Sequence, residues 1–140
     1  MLCENVFIIG RLKPLMKLSP TLCLRLGLGL VLLWFGMSEI IDPETWSAYV
    51  PSLVEAHLPV PLTTFVVLHG IIEILLGSLL LLGFYLKLSS ALVALHLFFI
   101  VLGVGYNEIG VRDFGLFMAA VALAMSEDNT YSLDAFISRR

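Results

Sequence analysis

The sequence predicts an all-α protein: a bundle of four transmembrane helices, with both termini cytoplasmic (N-in/C-in) and a short interfacial amphipathic helix between the first and second. Three observations carry this. The 140 residues are 59% hydrophobic and 14% charged, with a mean hydropathy of +1.00, too apolar for an ordinary soluble domain and too short for two. Four apolar stretches of membrane-crossing length follow one another, and none alternates like a barrel strand. Lipid offers the backbone no hydrogen-bond partner, so helices that satisfy their own amides are the remaining solution. The expected partner is the lipid bilayer. A net charge of -3 without any long Lys/Arg run excludes nucleic acid, since phosphate binding needs a basic patch.

Taken in order, residues 1–19 mix Val6 to Ile9 with Arg11, Lys13 and Lys17. They are expected to lie along the inner surface as a basic amphipathic segment. A membrane domain of four helices then runs over 20–126, followed by a cytoplasmic tail over 127–140. The first span, Pro20 to Ile41, opens on a proline where a missing N–H costs nothing and closes at Asp42-Pro43. It is too long for a removable signal peptide and lacks a small-residue cleavage site. The loop from Asp42 to Val60 carries Asp42, Glu44, Glu55 and His57 but no Lys or Arg, as an outer-face segment should. Within it Trp46, Tyr49, Val50 and Leu53 recur at helical spacing, which predicts one interfacial helix, an anchor fixing helix tilt ahead of a substrate lid. Further spans are read over Pro61 to Phe84, Lys87 to Gly105 and Ile109 to Met125, the last only just reaching the lower limit of about 17 residues. Arg11, Lys13, Lys17, Arg25, Lys87, Arg139 and Arg140 fall on one side and Arg112 alone near the other, so that side is the cytoplasm and the expected location is the cell inner membrane. Gly29, Gly36, Gly70, Gly77, Ser90, Ala94, Gly115 and Ala119 are the small residues that allow close helix contact.

The ionisable residues inside the spans carry the chemistry. A charge at the bilayer centre costs at least roughly 2.5 kcal/mol, so these groups face the bundle interior. At about 1.5 Å per residue, His69 lies roughly 12 Å, Glu73 roughly 18 Å and His96 about 16 Å below the outer face. His69 and Glu73, four apart, share a helix face, and Gly70 leaves room beside them. These three are the candidate binding site. A second group, Glu39, Arg112 and Asp113, gathers by depth near the outer face, where Arg112 can neutralise the carboxylates. Arg25 stands near the inner face, placed to snorkel to the headgroups. Cys3 and Cys23 are neither a C-x-x-C pair nor a metal pair, and no metal site is expected.

From Arg25 onward the chain resembles DoxX/DoxD-like membrane proteins, a four-helix family. The resemblance rests on Arg25-x-x-Leu28-Gly29 with Gly36, on Glu73 followed by Gly77 and Leu82-Gly83, on Arg112-Asp113, and on Tyr131-Ser132-Leu133-Asp134, the most specific element. One position departs from the family, which often carries lysine three residues after the glycine that is Gly36; here that residue is Glu39. The resemblance implies a membrane subunit associated with thiosulfate:quinone oxidoreduction or another redox enzyme, with redox protein subunits as partners. A quinone is then the implied ligand, with His69, Glu73 or His96 binding its oxygen or moving its protons. An equal reading is a structural or assembly subunit whose buried charges pair internally. A b-type haem held by His69 and His96 ranks lower, as does a small transporter, and self-association is left open. No phosphate loop, H-E-x-x-H or G-x-S-x-G motif points to a stand-alone enzyme.

Overall fold

A computed structural model describes residues 19–127 and 132–137, and among these every regular element is a helix. The amphipathic reading of residues 1–18, Cys3, Tyr131, Arg139 and Arg140 lie outside the described residues. The elements are α1 (Pro20–Ile41), α2 (Pro43–Ser47), α3 (Ser52–Glu55), α4 (Leu62–Leu82), α5 (Leu86–Val104), α6 (Glu108–Ala124) and α7 (Leu133–Ile137). Helices α1, α4 and α5 are long and apolar enough to cross a membrane. Helix α6 has 17 residues and packs along α5.

The predicted single interfacial helix is two. α2 ends at Ser47, the chain turns through Ala48 to Val50, and α3 begins after Pro51. Pro51 has no N–H to donate and pushes the residue before it out of the helical region, so the apolar periodicity running through Leu53 cannot be one helix.

Helix α1 pairs with α4 and α5 with α6 in the two most extensive contacts. The first pair is antiparallel and close: Gly29 lies against Gly77 and Leu81, and Gly36 against Gly70. A Cβ on Gly36 would stand 2.5 Å from the Gly70 carbonyl oxygen, so only hydrogen lets these backbones meet. Gly115, expected in the same role, faces open space. Leu28, Leu32, Leu80, Val93, Leu97 and Leu123 form the interior. Outside, Leu30, Trp34, Met37, Leu75, Leu92 and Phe99 are exposed, while Arg25, Glu39, Glu73 and Asp113 are buried. Apolar outside and charged inside is a surface made for contact with lipid.

The end of the bundle where α4 gives way to α5 is closed by a turn and the returning tail. Gly83, at φ +65°, ends α4, with the Phe84 N–H donating to the Leu79 carbonyl at 3.2 Å and the Gly83 N–H to Leu80 at 3.1 Å, the left-handed cap that glycine permits. The Asp134 carboxylate then accepts from the backbone N–H groups of Tyr85 and Leu86 at 2.9 and 2.8 Å, capping α5. Arg25, expected to snorkel outward, is instead 4% exposed. Its guanidinium sits so close to the Gly83 turn that a Cβ there would lie 2.6 Å from Nη1, within the field of Asp134.

Candidate functional site

The site grows out of the α1–α4 crossing. Each helix carries the same short pattern, Gly36-x-x-Glu39 and Gly70-x-x-Glu73. Because the helices run antiparallel with the glycines in contact, each glutamate packs over the other helix's glycine. The space a Cβ would fill at Gly36 abuts the Glu73 Cβ at 3.0 Å, and that at Gly70 the Glu39 Cβ at 3.1 Å. Both carboxylates are thereby aimed at one place.

His69 and His96 meet them there. Glu39 Oε2 lies 2.8 Å from His69 Nδ1; an ionised carboxylate only accepts, so Nδ1–H is the donor and Nε2 is left free. The His69 ring stacks on His96, with centroids 4.8 Å apart and planes at 29°. His96 Nε2 comes within 3.5 Å of Glu73 Oε1. Glu73 Oε2 and His96 Nε2 have no hydrogen-bond partner although both atoms are buried.

Helices α4 and α5, packed with α1, thus bring His69, Glu73 and His96 together, as their depths suggested. They also bring Glu39, which depth alone had grouped with Arg112 and Asp113. Of the two carboxylates within its expected reach, Arg112 Nε donates to Asp113 Oδ1 at 2.7 Å, with its guanidinium 4.4 Å over the Phe35 ring, a cation–π contact. Asp113 is 4% exposed.

Above the cluster opens a cavity of about 420 Å³, walled by apolar side chains of α1, α4, α5 and α6. Trp46, Tyr49, Pro51 and Val54 of the interfacial segment complete its lining, so the segment read as an anchor also covers a chamber. Its position is fixed by Trp46, whose Nε1 donates to Ser38 Oγ at 3.0 Å and whose ring meets Phe35 edge-on at 5.5 Å. The aromatics themselves were legible, with a lid as the alternative to an anchor; the hydrogen bond that fixes them was not, its signal being Ser38 one turn before Asp42 and a tryptophan four residues beyond it.

A mostly apolar chamber with a few convergent polar groups at its base is how small-molecule sites are built. The haem expectation does not fit these residues. Two axial imidazoles must point at one iron from opposite sides of a flat macrocycle, whereas His69 and His96 lie face to face.

The DoxX family model matches residues 21–105, more than half of the chain. The protein belongs to the DoxX family. No curated protein and no solved structure matches it. The DoxX match covers α1 to α5 and hence Glu39, His69, Glu73 and His96, while Arg112, Asp113 and Asp134 lie beyond it.

Proposed function

We propose that this DoxX protein is the quinone-facing membrane subunit of an oxidoreductase in the cell inner membrane. The observation that carries the reading is the apolar chamber lined by Phe35, Trp46 and Tyr49, with His69, Glu73 and His96 at its base. Flat aromatic walls suit a quinone ring, and imidazole is the side chain whose ordinary titration near neutral pH suits proton exchange with a quinone oxygen. In this reading α6 is a fourth span, the termini face the cytoplasm, and a redox protein docks to the bundle. The competing assignment, a structural subunit with internally paired charges, gains from Glu39–His69 and Arg112–Asp113. It leaves Glu73 Oε2 without a hydrogen bond and His96 Nε2 with only a 3.5 Å approach to Glu73 Oε1, and a half-satisfied buried network is worse than none.

The chain has two tryptophans, and Trp34 is 62% exposed, so Trp34→Phe leaves Trp46 as the sole reporter inside the chamber. Titrating that variant in detergent with a short-chain benzoquinone should quench its emission saturably, with an affinity weakened at least tenfold by His69→Ala. Quenching that rises linearly without saturation, as for a quinone merely dissolved in the micelle, refutes the assignment.

A further inference from the structure

The cluster carries an inference that does not rest on what fills the chamber. We propose that His69, Glu73 and His96 form a binding site for a divalent transition-metal ion, with Glu39 orienting His69 from behind. One ligand atom from each of the three lies within 4.8 Å of the others. Bonds of about 2.1 Å place neighbouring ligand atoms roughly 3.0–3.4 Å apart, so loading draws the side chains inward and turns the stacked His69 and His96 rings until their nitrogens converge side by side on one ion, a smaller change than opposing them across a haem. His69 and Glu73 are four apart on α4 and present both groups on one face; His96 closes the set from α5.

Two further observations point to a ligand. Glu73 is only 5% exposed, yet its Oε2 has no hydrogen-bond partner, and His96 Nε2 makes none either, meeting only Glu73 Oε1 at 3.5 Å. The Glu39–His69 hydrogen bond at 2.8 Å is the carboxylate–histidine relay that fixes tautomer and ring orientation in metal sites, freeing Nε2 to coordinate. Two imidazoles and one carboxylate select Zn²⁺, Fe²⁺ or a similar borderline ion over Ca²⁺ and Mg²⁺, which prefer all-oxygen shells. The charges also balance: a dication against the carboxylates of Glu39 and Glu73 is neutral, as a low-dielectric interior demands. Three protein ligands leave a coordination position open to the chamber, the arrangement of metal sites that bind a guest molecule.

The test uses the full-length chain in detergent, untagged, stripped with chelator and titrated with Co²⁺. One equivalent should bind with the visible bands of low-coordinate cobalt, displaceable by Zn²⁺. X-ray absorption of the Zn²⁺-loaded wild type should show two imidazoles in the first shell, a readout independent of any variant's folding. Glu39→Gln should weaken binding about 10–100-fold, and His57→Ala, removing an exposed imidazole, should change nothing. Failure to bind Co²⁺, an all-oxygen shell, or sensitivity to His57→Ala but not to Glu39→Gln overturns the site. Cobalt is titrated without quinone and quinone without metal, so each idea fails separately.

Discussion

Asp42 performs two tasks in consecutive helices. Its backbone N–H donates to the Ser38 carbonyl, closing α1, and its carboxylate accepts from the Thr45 N–H at 3.2 Å, opening α2. That hydrogen bond holds its carboxyl below the usual carboxylate range. A depressed folded value means that the cap is fully effective above the unfolded pKa of about 3.9 and is lost as pH falls through the lower folded value. In a Trp34→Phe background, the part of the Trp46 emission change that depends on Asp42 should therefore come only below about pH 4; Asp42→Ala should show that altered emission already at neutral pH. A change below about pH 4 that persists in Asp42→Ala would contradict this assignment, whereas one at about pH 6 shared by both proteins belongs to the chamber histidines. At this scale the sequence was partly legible. Depth along a helix axis located His69, Glu73 and His96, but depth carries no azimuth, so it did not show that Glu39, which lines the same chamber as Arg112 and Asp113, hydrogen-bonds His69. The repeated Gly-x-x-Glu held the missing information, because reciprocal glycine packing turns both carboxylates inward.

Between elements, the α1–α4 contact should be the most sensitive joint. A methyl at Gly36 meets backbone, the Gly70 carbonyl oxygen, which cannot yield as a flexible side chain would. Gly36→Ala should destabilise the protein by about 1–3 kcal/mol, read by thermal unfolding in detergent. Gly115→Ala, where the added group meets nothing, should leave stability unchanged or raise it slightly. Equal losses at both positions would show that glycine content, not this contact, is what matters. The sequence offered both glycines as packing residues, since composition cannot tell a helix face turned to a neighbour from one turned to lipid. Pro51, in contrast, was a readable break that the aromatic periodicity obscured.

For the whole molecule, the bundle order was legible because the apolar lengths and the Pro20, Asp42-Pro43 and Pro61 boundaries agree with the observed helices to within a few residues. Helix α6 marks the limit of that reading, since 17 residues sit at the edge of what crosses a bilayer. With Cys3 and Cys23 replaced by serine, single cysteines at Glu55, Tyr106 and Glu127 resolve it. A membrane-impermeant maleimide should label positions 55 and 106 from outside and position 127 only after permeabilisation. External labelling at both 106 and 127 would mean that α6 lies against the bundle without crossing.

The docked tail sets a clock on how the bundle matures. Asp134 supplies the carboxylate for the exposed amides at the start of α5, but it is synthesised 134 − 86 = 48 residues after Leu86. At about 5–20 residues per second that is an interval of roughly 2–10 s. Until then the two amides at the start of α5 lack the carboxylate that caps them. A chain cut short before Asp134 would keep every residue that lines the chamber and lose this cap, so what such a truncation changes belongs to the start of α5 and not to the site.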